Sequence, residues 1–264
     1  MPPIYTLRDR ILSYEQNSDH KLIKKLPVAI VINGRAFRKI TSLLQKPFSQ
    51  PLLETFAGTM IKLMQEIDGS VISYCFNDEI IIISRNDQTN ETNAWFDNRI
   101  QKIASATASI ATCEFNRLAK NNDLQIIGDP TFTSSVFALP TITETINFLI
   151  SKQNEAIYTA ITMACFYELG KKYDISTIKQ TLNEKSAQQK LDILSQQCGM
   201  NFDDYPAEFR RGAAVYRIQK IVDGGDGTDK VKNKLIVDLN LPNFAREQYF
   251  IEEIITLGKD IIRD

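Results

Sequence analysis

Short, strongly apolar runs alternate along this chain with longer stretches in which apolar residues recur every three or four positions. "LPVAIVING" (26–34) is a β-branched run ended by Asn33 and Gly34, and it predicts a buried strand. Residues 49–67 carry Leu52, Phe56, Met60 and Met64 on one helical face. "VISYCFNDEIIIIS" (71–84) reads as two strands joined by a tight turn. Residues 94–118 predict a long helix whose small residues Ala104, Ser105, Ala108 and Ala111 would let it lie close to a sheet. "FTSSVFALP" (132–140) predicts a strand stopped by Pro140. Residues 141–170 predict a second long helix, with Thr141 or Thr143 as N-cap and Gly170 past its end.

The resulting order, β-α-β-β-α-β-α, is the split βαβ arrangement. The expected class is α+β: a palm-like, ferredoxin-type βαββαβ sheet with long helices on one face, over residues 1–170. From 171 to 264 the pattern shortens into a smaller helical and hairpin region. There, 176–185 and 186–199 are short amphipathic helices, and 213–222 and 234–242 are strands around a glycine-rich tip. Asp223, Asp226 and Asp229 in that tip do not have the spacing of a calcium loop and read as a solvated turn. The palm topology sets strand one beside the central hairpin, so Asn33-Gly34 and Asp78-Glu79 are expected to be neighbours. Carboxylates between two apolar runs need solvent or a partner. A hairpin turn and a metal site both satisfy that need.

Composition narrows the chemistry. The chain has 264 residues, 43% hydrophobic, with a formal net charge of −1. Near-zero net charge argues against a bulk polyanion-binding tail, so any nucleic-acid contact is expected from a local basic patch. The cysteines, Cys75, Cys113, Cys165 and Cys198, are far apart and read as buried thiols rather than zinc ligands. His20 is the only histidine and sits in a polar stretch, which argues against histidine-based catalysis. No apolar leader or membrane-length run is apparent, and a cytoplasmic location is expected.

Five stretches, in order, resemble one family. "RDRILSYE" (8–15), "NGRAFRKIT…KPF" (33–48), "FNDEIIII" (76–83), "AWFDNRIQKIASATASIATCEFN" (94–116) and "GMNFDDYPAEFRRG" (199–212) are similar to motifs of the tRNA-histidine guanylyltransferases and related 3′–5′ RNA polymerases. The bacterial and archaeal-type guanylyltransferase-like proteins are the nearer in flavour. The resemblance implies Mg-dependent addition of nucleotides to the 5′ end of tRNA or a related RNA. ATP or GTP would be the substrates, and the metal magnesium or manganese. It also implies a homo-oligomer, dimer or tetramer.

Carried over residue by residue, the resemblance makes Asp78 and Glu79 catalytic, and Asn33, Gly34 and Asp78 the metal ligands. It makes Arg35, Arg38, Lys46, Asn77, Arg99 and Lys102 nucleotide-binding, and Lys152, Arg210 and Arg211 RNA-binding. The departures are specific. Asn33 stands where the family has its first metal-binding aspartate, Ser49 replaces the acid after the "KP" pair, and Arg38 replaces a histidine. Residues 132–135 and 150–159 lose the charged groups of two further motifs. Cations are kept while acids are lost. Two readings follow: a nucleotidyltransferase with a weakened metal site, or a catalytically inactive RNA- or nucleotide-binding homologue acting with a partner. A nucleotide cyclase on the same palm is a third, weaker one.

Overall fold

The computed structural model describes residues 6–88, 91–223, 229–257 and 262–263. Its helices are α1 (Leu7–Gln16), α2 (Phe37–Ile40), α3 (Gln50–Glu66), α4 (Ile100–Asn121), α5 (Ile142–Leu169), α6 (Ile175–Leu182), α7 (Ala187–Cys198), α8 (Ala207–Arg211) and α9 (Gln248–Leu257). The strands are β1 (Val28–Gly34), β2 (Ser70–Phe76), β3 (Glu79–Ser84), β4 (Phe132–Ala138), β5 (Ala213–Asp223), β6 (Asp229–Asp238) and β7 (Ile262–Arg263). Residues 224–228 of the aspartate- and glycine-rich tip lie outside the described residues.

The strand order is β4-β1-β3-β2-β5-β6, with β7 beside β5. The first four are antiparallel neighbours in the split βαβ order expected of the palm. β5 then pairs with β2, so the sheet continues past residue 170 into the C-terminal region. Alternation along β1 divides the core. Val28, Ile30 and Ile32 face Phe56 and Met60 of α3 and Ile103, Ala111 and Phe115 of α4. Ala29 and Val31 face Leu149 and Ala156 of α5 and Ile251, Ile254 and Ile255 of α9. The expectation of long helices on one face therefore holds for α3 and α4, whereas α5 crosses to the other face.

α5 has 28 residues, about 42 Å of helix at 1.5 Å per residue, and it outruns the sheet. Its first half covers β1 and β3. Its second half, with Ala160, Ala164 and Cys165, packs against Ile178, Leu182, Leu194 and Phe209 of α6, α7 and α8. Its N-cap is Thr141, whose hydroxyl accepts from the Glu144 amide at 3.0 Å. α7 opens on a capping box between Ser186 and Gln189 and closes on Gly199 at φ +68°.

Three expectations need correction. The helix expected from Ala94 begins at Ile100, because Phe96, Asp97 and Asn98 are all left-handed. The buried stripe of α4 is Ile103, Thr107, Ala111, Phe115 and Ala119 at i,i+4 spacing, which turns Ser105 to solvent. Cys113 is also exposed, midway between Ala111 and Phe115 of that stripe. Among the described residues no helix is long and apolar enough to cross a membrane.

Candidate active site

The end of β1 and the β2–β3 turn are stitched together. Asn33 lies opposite Glu79 in the antiparallel register. The Gly34 amide donates to the Asp78 carbonyl at 2.8 Å. A Cβ on Gly34 would sit 2.2 Å from the Phe37 ring, so glycine alone fits where the chain bends from β1 into α2. Asn77 closes the hairpin at φ +53°, a region asparagine tolerates. The turn reading and the neighbourhood of Asn33 with Asp78 therefore coexist.

The two acids of the turn have different fates. Glu79 is held by Lys152 of α5, with the ammonium 2.9 Å from Oε1 and 3.2 Å from Oε2. Burial pulls the Lys152 ammonium down, but the Glu79 hydrogen bond and charge, with Glu155, outweigh it and the net shift is upward. Among the described residues Asp78 has no such ion pair. Burial first, and the Glu79 charge after it, raise its carboxyl above the usual aspartate value, against the pull of its own backbone amide. Asn33 adds no charge. Among the described residues no three His, Cys, Asp or Glu side chains are grouped to hold a metal ion. The donor set therefore does not fit two resident dications, which need several charged oxygens between them. An ion arriving with a polyphosphate would find Asp78 as its one charged ligand here, with Asn33 and the Gly34 carbonyl as the neutral groups beside it.

Asp78 opens on a cavity of about 800 Å³, room enough for a nucleotide. Arg38, Lys46 and Asn77 line it together with Asp78, over an apolar wall that includes Phe37, Phe48 and Phe209. Phe48 and Phe209 meet edge to face at 6.0 Å. Desolvation at the wall lowers the Lys46 ammonium from its ordinary value. Thr162 and Phe166 of α5 and Lys179 of α6 close the far side. Sequence reasoning did not single out Lys179, because its helix shows only an amphipathic pattern. It also passed over Lys190. This side chain is 3% exposed, donates to Tyr158 Oη and Thr162 Oγ1 at 2.8 Å each, and sits 4.0 Å from the Tyr158 ring centre.

Other expected residues are placed elsewhere. Arg35 is exposed and its amide donates to the Thr131 carbonyl, outside the cavity lining. α4 runs antiparallel to β4: Thr107 donates to Ser134 and, further on, Asn116 donates to Pro130. Its start therefore lies at the Val28–Ala138 end of the sheet, where Asn98 accepts from Asn86. Arg99 and Lys102 are thus separated from Asp78 by the length of β3, about 20 Å for six residues. Arg99 faces Asp19 at 3.3 Å and Lys102 is exposed. Arg210 pairs with Asp203. Arg211 donates to the Leu241 carbonyl at 2.6 Å, while Tyr74 donates to the Arg211 carbonyl at 2.9 Å. With Lys152 on Glu79, all three expected RNA contacts make internal bonds.

The comparisons agree with this architecture. A bacterial tRNA(His) guanylyltransferase-like protein in complex with ATP superposes with a TM-score of 0.80 at 27% identity, over 95% of this chain and 99% of that one. A second such structure, in complex with GTP, gives 0.76 at 28%, over the same 95% and 99%. The tRNA(His) guanylyltransferase 1 of Arabidopsis thaliana is 22% identical over 83% of this chain, which spans 39% of the plant protein's length. The probable enzyme of Dictyostelium discoideum is 22% identical over 82% of this chain and 86% of its own. The tRNAHis guanylyltransferase model matches residues 8–140, just over half of the 264, and this chain belongs to that family.

Proposed function

We propose that the protein is a nucleotidyltransferase that adds nucleotides to the 5′ end of tRNA or a related RNA in the 3′–5′ direction, with a metal site reduced in charge. One observation carries the reading: Asp78, Arg38 and Lys46 line one cavity of about 800 Å³ in a chain similar to proteins solved with ATP and GTP. Arg38 and Lys46 hold the phosphates by charge-assisted hydrogen bonds, and the aromatic wall takes the base. Asp78 would hold an ion entering with the nucleotide. That ion would offset phosphate charge and favour the ionised form of an attacking hydroxyl.

The second reading, a nucleotide- or RNA-binding homologue without chemistry of its own, draws on the neutral Asn33 and the engaged Glu79. Wild type, Asn33→Asp and Asp78→Ala distinguish the two when assayed on one tRNA with labelled GTP and ATP across magnesium and manganese series. Activity in the wild type at raised metal concentration, strengthened by Asn33→Asp and abolished by Asp78→Ala, supports the enzyme. Wild type and Asn33→Asp both inert, with RNA and nucleotide still bound, would establish the binding module instead.

A further inference from the structure

The end of the sheet remote from Asp78 carries a feature independent of the chemistry at that acid. Phe96 (φ 49°, ψ 30°), Asp97 (φ 53°, ψ 35°) and Asn98 (φ 57°) form three consecutive left-handed residues. A bulky aromatic residue rarely adopts this conformation without compensation, and such strain gathers at functional sites. Here the compensation is visible. The Asn98 side chain is 2% exposed, accepts from Asn86 at 3.2 Å and donates to the Ile23 carbonyl at 3.2 Å. Its carbonyl accepts from the Leu22 amide at 3.0 Å. Asp97 accepts from Lys21 and Lys24 at 2.6 Å each, which holds its carboxyl down to about 2.

What this frame presents is Phe96, 43% exposed, its ring 4.4 Å from Trp95 and tilted 39° to it. Burying the ring would be the ordinary use of such a side chain. The adjoining segments carry four cations, Lys21, Lys24, Arg99 and Lys102, of which the first three pair with two carboxylates, Asp97 and Asp19. Lys102 lies one helical turn beyond Arg99 and is exposed. An aromatic face held out among surplus cations matches single-stranded nucleic acid, whose bases stack and whose phosphates carry the opposite charge.

We propose that Trp95 and Phe96, with Lys24, Arg99 and Lys102, form a platform for single-stranded RNA. One base stacks on the Phe96 ring and the flanking phosphates contact the three cations. Trp95 is the only tryptophan of the chain, so its emission reports directly on the platform.

The test titrates the full chain with a ten-nucleotide oligoadenylate while following Trp95 fluorescence, at several salt concentrations. Quenching is expected. Phe96→Gly, which suits a left-handed position, should keep or raise the thermal midpoint and weaken RNA binding about tenfold. Phe96→Leu serves as a second variant that keeps an apolar side chain and removes the ring, and should weaken binding similarly. Lys102→Gln should lower the slope of log affinity against log salt by about 0.7, one phosphate contact on a single strand. Asp78→Ala should bind the oligonucleotide as wild type does, which separates this platform from the cavity. RNA binding without a Trp95 response, or wild-type affinity in both Phe96 variants, would overturn the proposal. Displacement of the RNA by equimolar inorganic tripolyphosphate would make the surface a triphosphate site, and equal binding of a polyglutamate peptide would make it a protein-docking face. Either would overturn it.

Discussion

The Glu79 carboxylate lies 2.9 Å from the Lys152 ammonium of α5, while its neighbour Asp78 lines the cavity. Adjacent acids in the sequence are thus unequal in charge available to a ligand. Lys152→Met would release the Glu79 charge beside Asp78. The exposed fractions of the pair, 23% and 28%, place it near the surface, so its loss should cost under about 1 kcal/mol of stability. Divalent-ion affinity, measured by calorimetry with a bound triphosphate, should rise several-fold. Unchanged affinity would mean that Glu79 is too far from the ion to matter.

Lys46 and Lys102, equivalent candidates by sequence, separate in the structure. Lys46→Ala should weaken ATP or GTP binding about tenfold or more, since a charge-assisted contact contributes roughly 1.5–3 kcal/mol. Lys102→Ala should leave it unchanged. Equal losses in the two variants would place the triphosphate along α4 and away from the cavity.

Asp78 makes a pH-dependent prediction. Its folded-state pKa is raised, so between the unfolded and folded values the folded chain holds a proton that the unfolded chain has lost. Its contribution to stability therefore improves as pH falls through that window, and above it the ionised, desolvated carboxylate is unfavourable. Asp78→Asn should raise the thermal midpoint at pH 7 and abolish metal-dependent nucleotide binding. In the wild type that binding should fade, on acidification, above the ordinary aspartate value. A lower midpoint for Asp78→Asn would mean that the carboxylate makes stabilising contacts the neutral amide cannot.

Lys190 is buried with hydroxyl and aromatic partners and no ion pair among the described residues. Thr162 Oγ1 and Tyr158 Oη each have another bond, to the Tyr158 and Lys185 carbonyls. Lys190→Met, which keeps the volume and removes the desolvated charge, should leave stability equal or about 1 kcal/mol higher in urea unfolding. Lys190→Ala should cost about 2–4 kcal/mol through the void it leaves. A Met variant as damaged as the Ala variant would show that the ammonium's hydrogen bonds outweigh its desolvation.

The β-branched runs announced the strands, and the order of elements placed Asn33 beside the Asp78–Glu79 turn, because register follows from topology once one face is buried. Thr141 was readable as the N-cap of α5, and Gly170 as its end. The Glu79–Lys152 pair was not, since its members are 73 positions apart and each looks like an ordinary exposed charge. The late start of α4 was also hidden: three left-handed residues with helix-compatible side chains leave no compositional mark. Arg99 and Lys102 were read toward phosphate from motif resemblance, but position along a helix requires knowing which end of the sheet the helix starts from. Lys179 came to the cavity only because α5 carries α6 back over it.

α5 also has a mechanical consequence. Lys152, which holds Glu79, and Thr162, which lines the cavity, are ten residues apart on one unbroken helix, about 15 Å. Between them Gln153 is fully buried and pinned, accepting from the Phe244 amide at 2.7 Å and donating to the Pro242 carbonyl at 2.9 Å. Gln153 is a fulcrum next to the short arm of a lever. A tilt of the outer arm about Gln153 would displace Thr162 about ninefold further than Lys152, because the arms are nine residues and one. Occupants of different girth can therefore be accommodated at the outer arm while the grip on Glu79 stays nearly fixed.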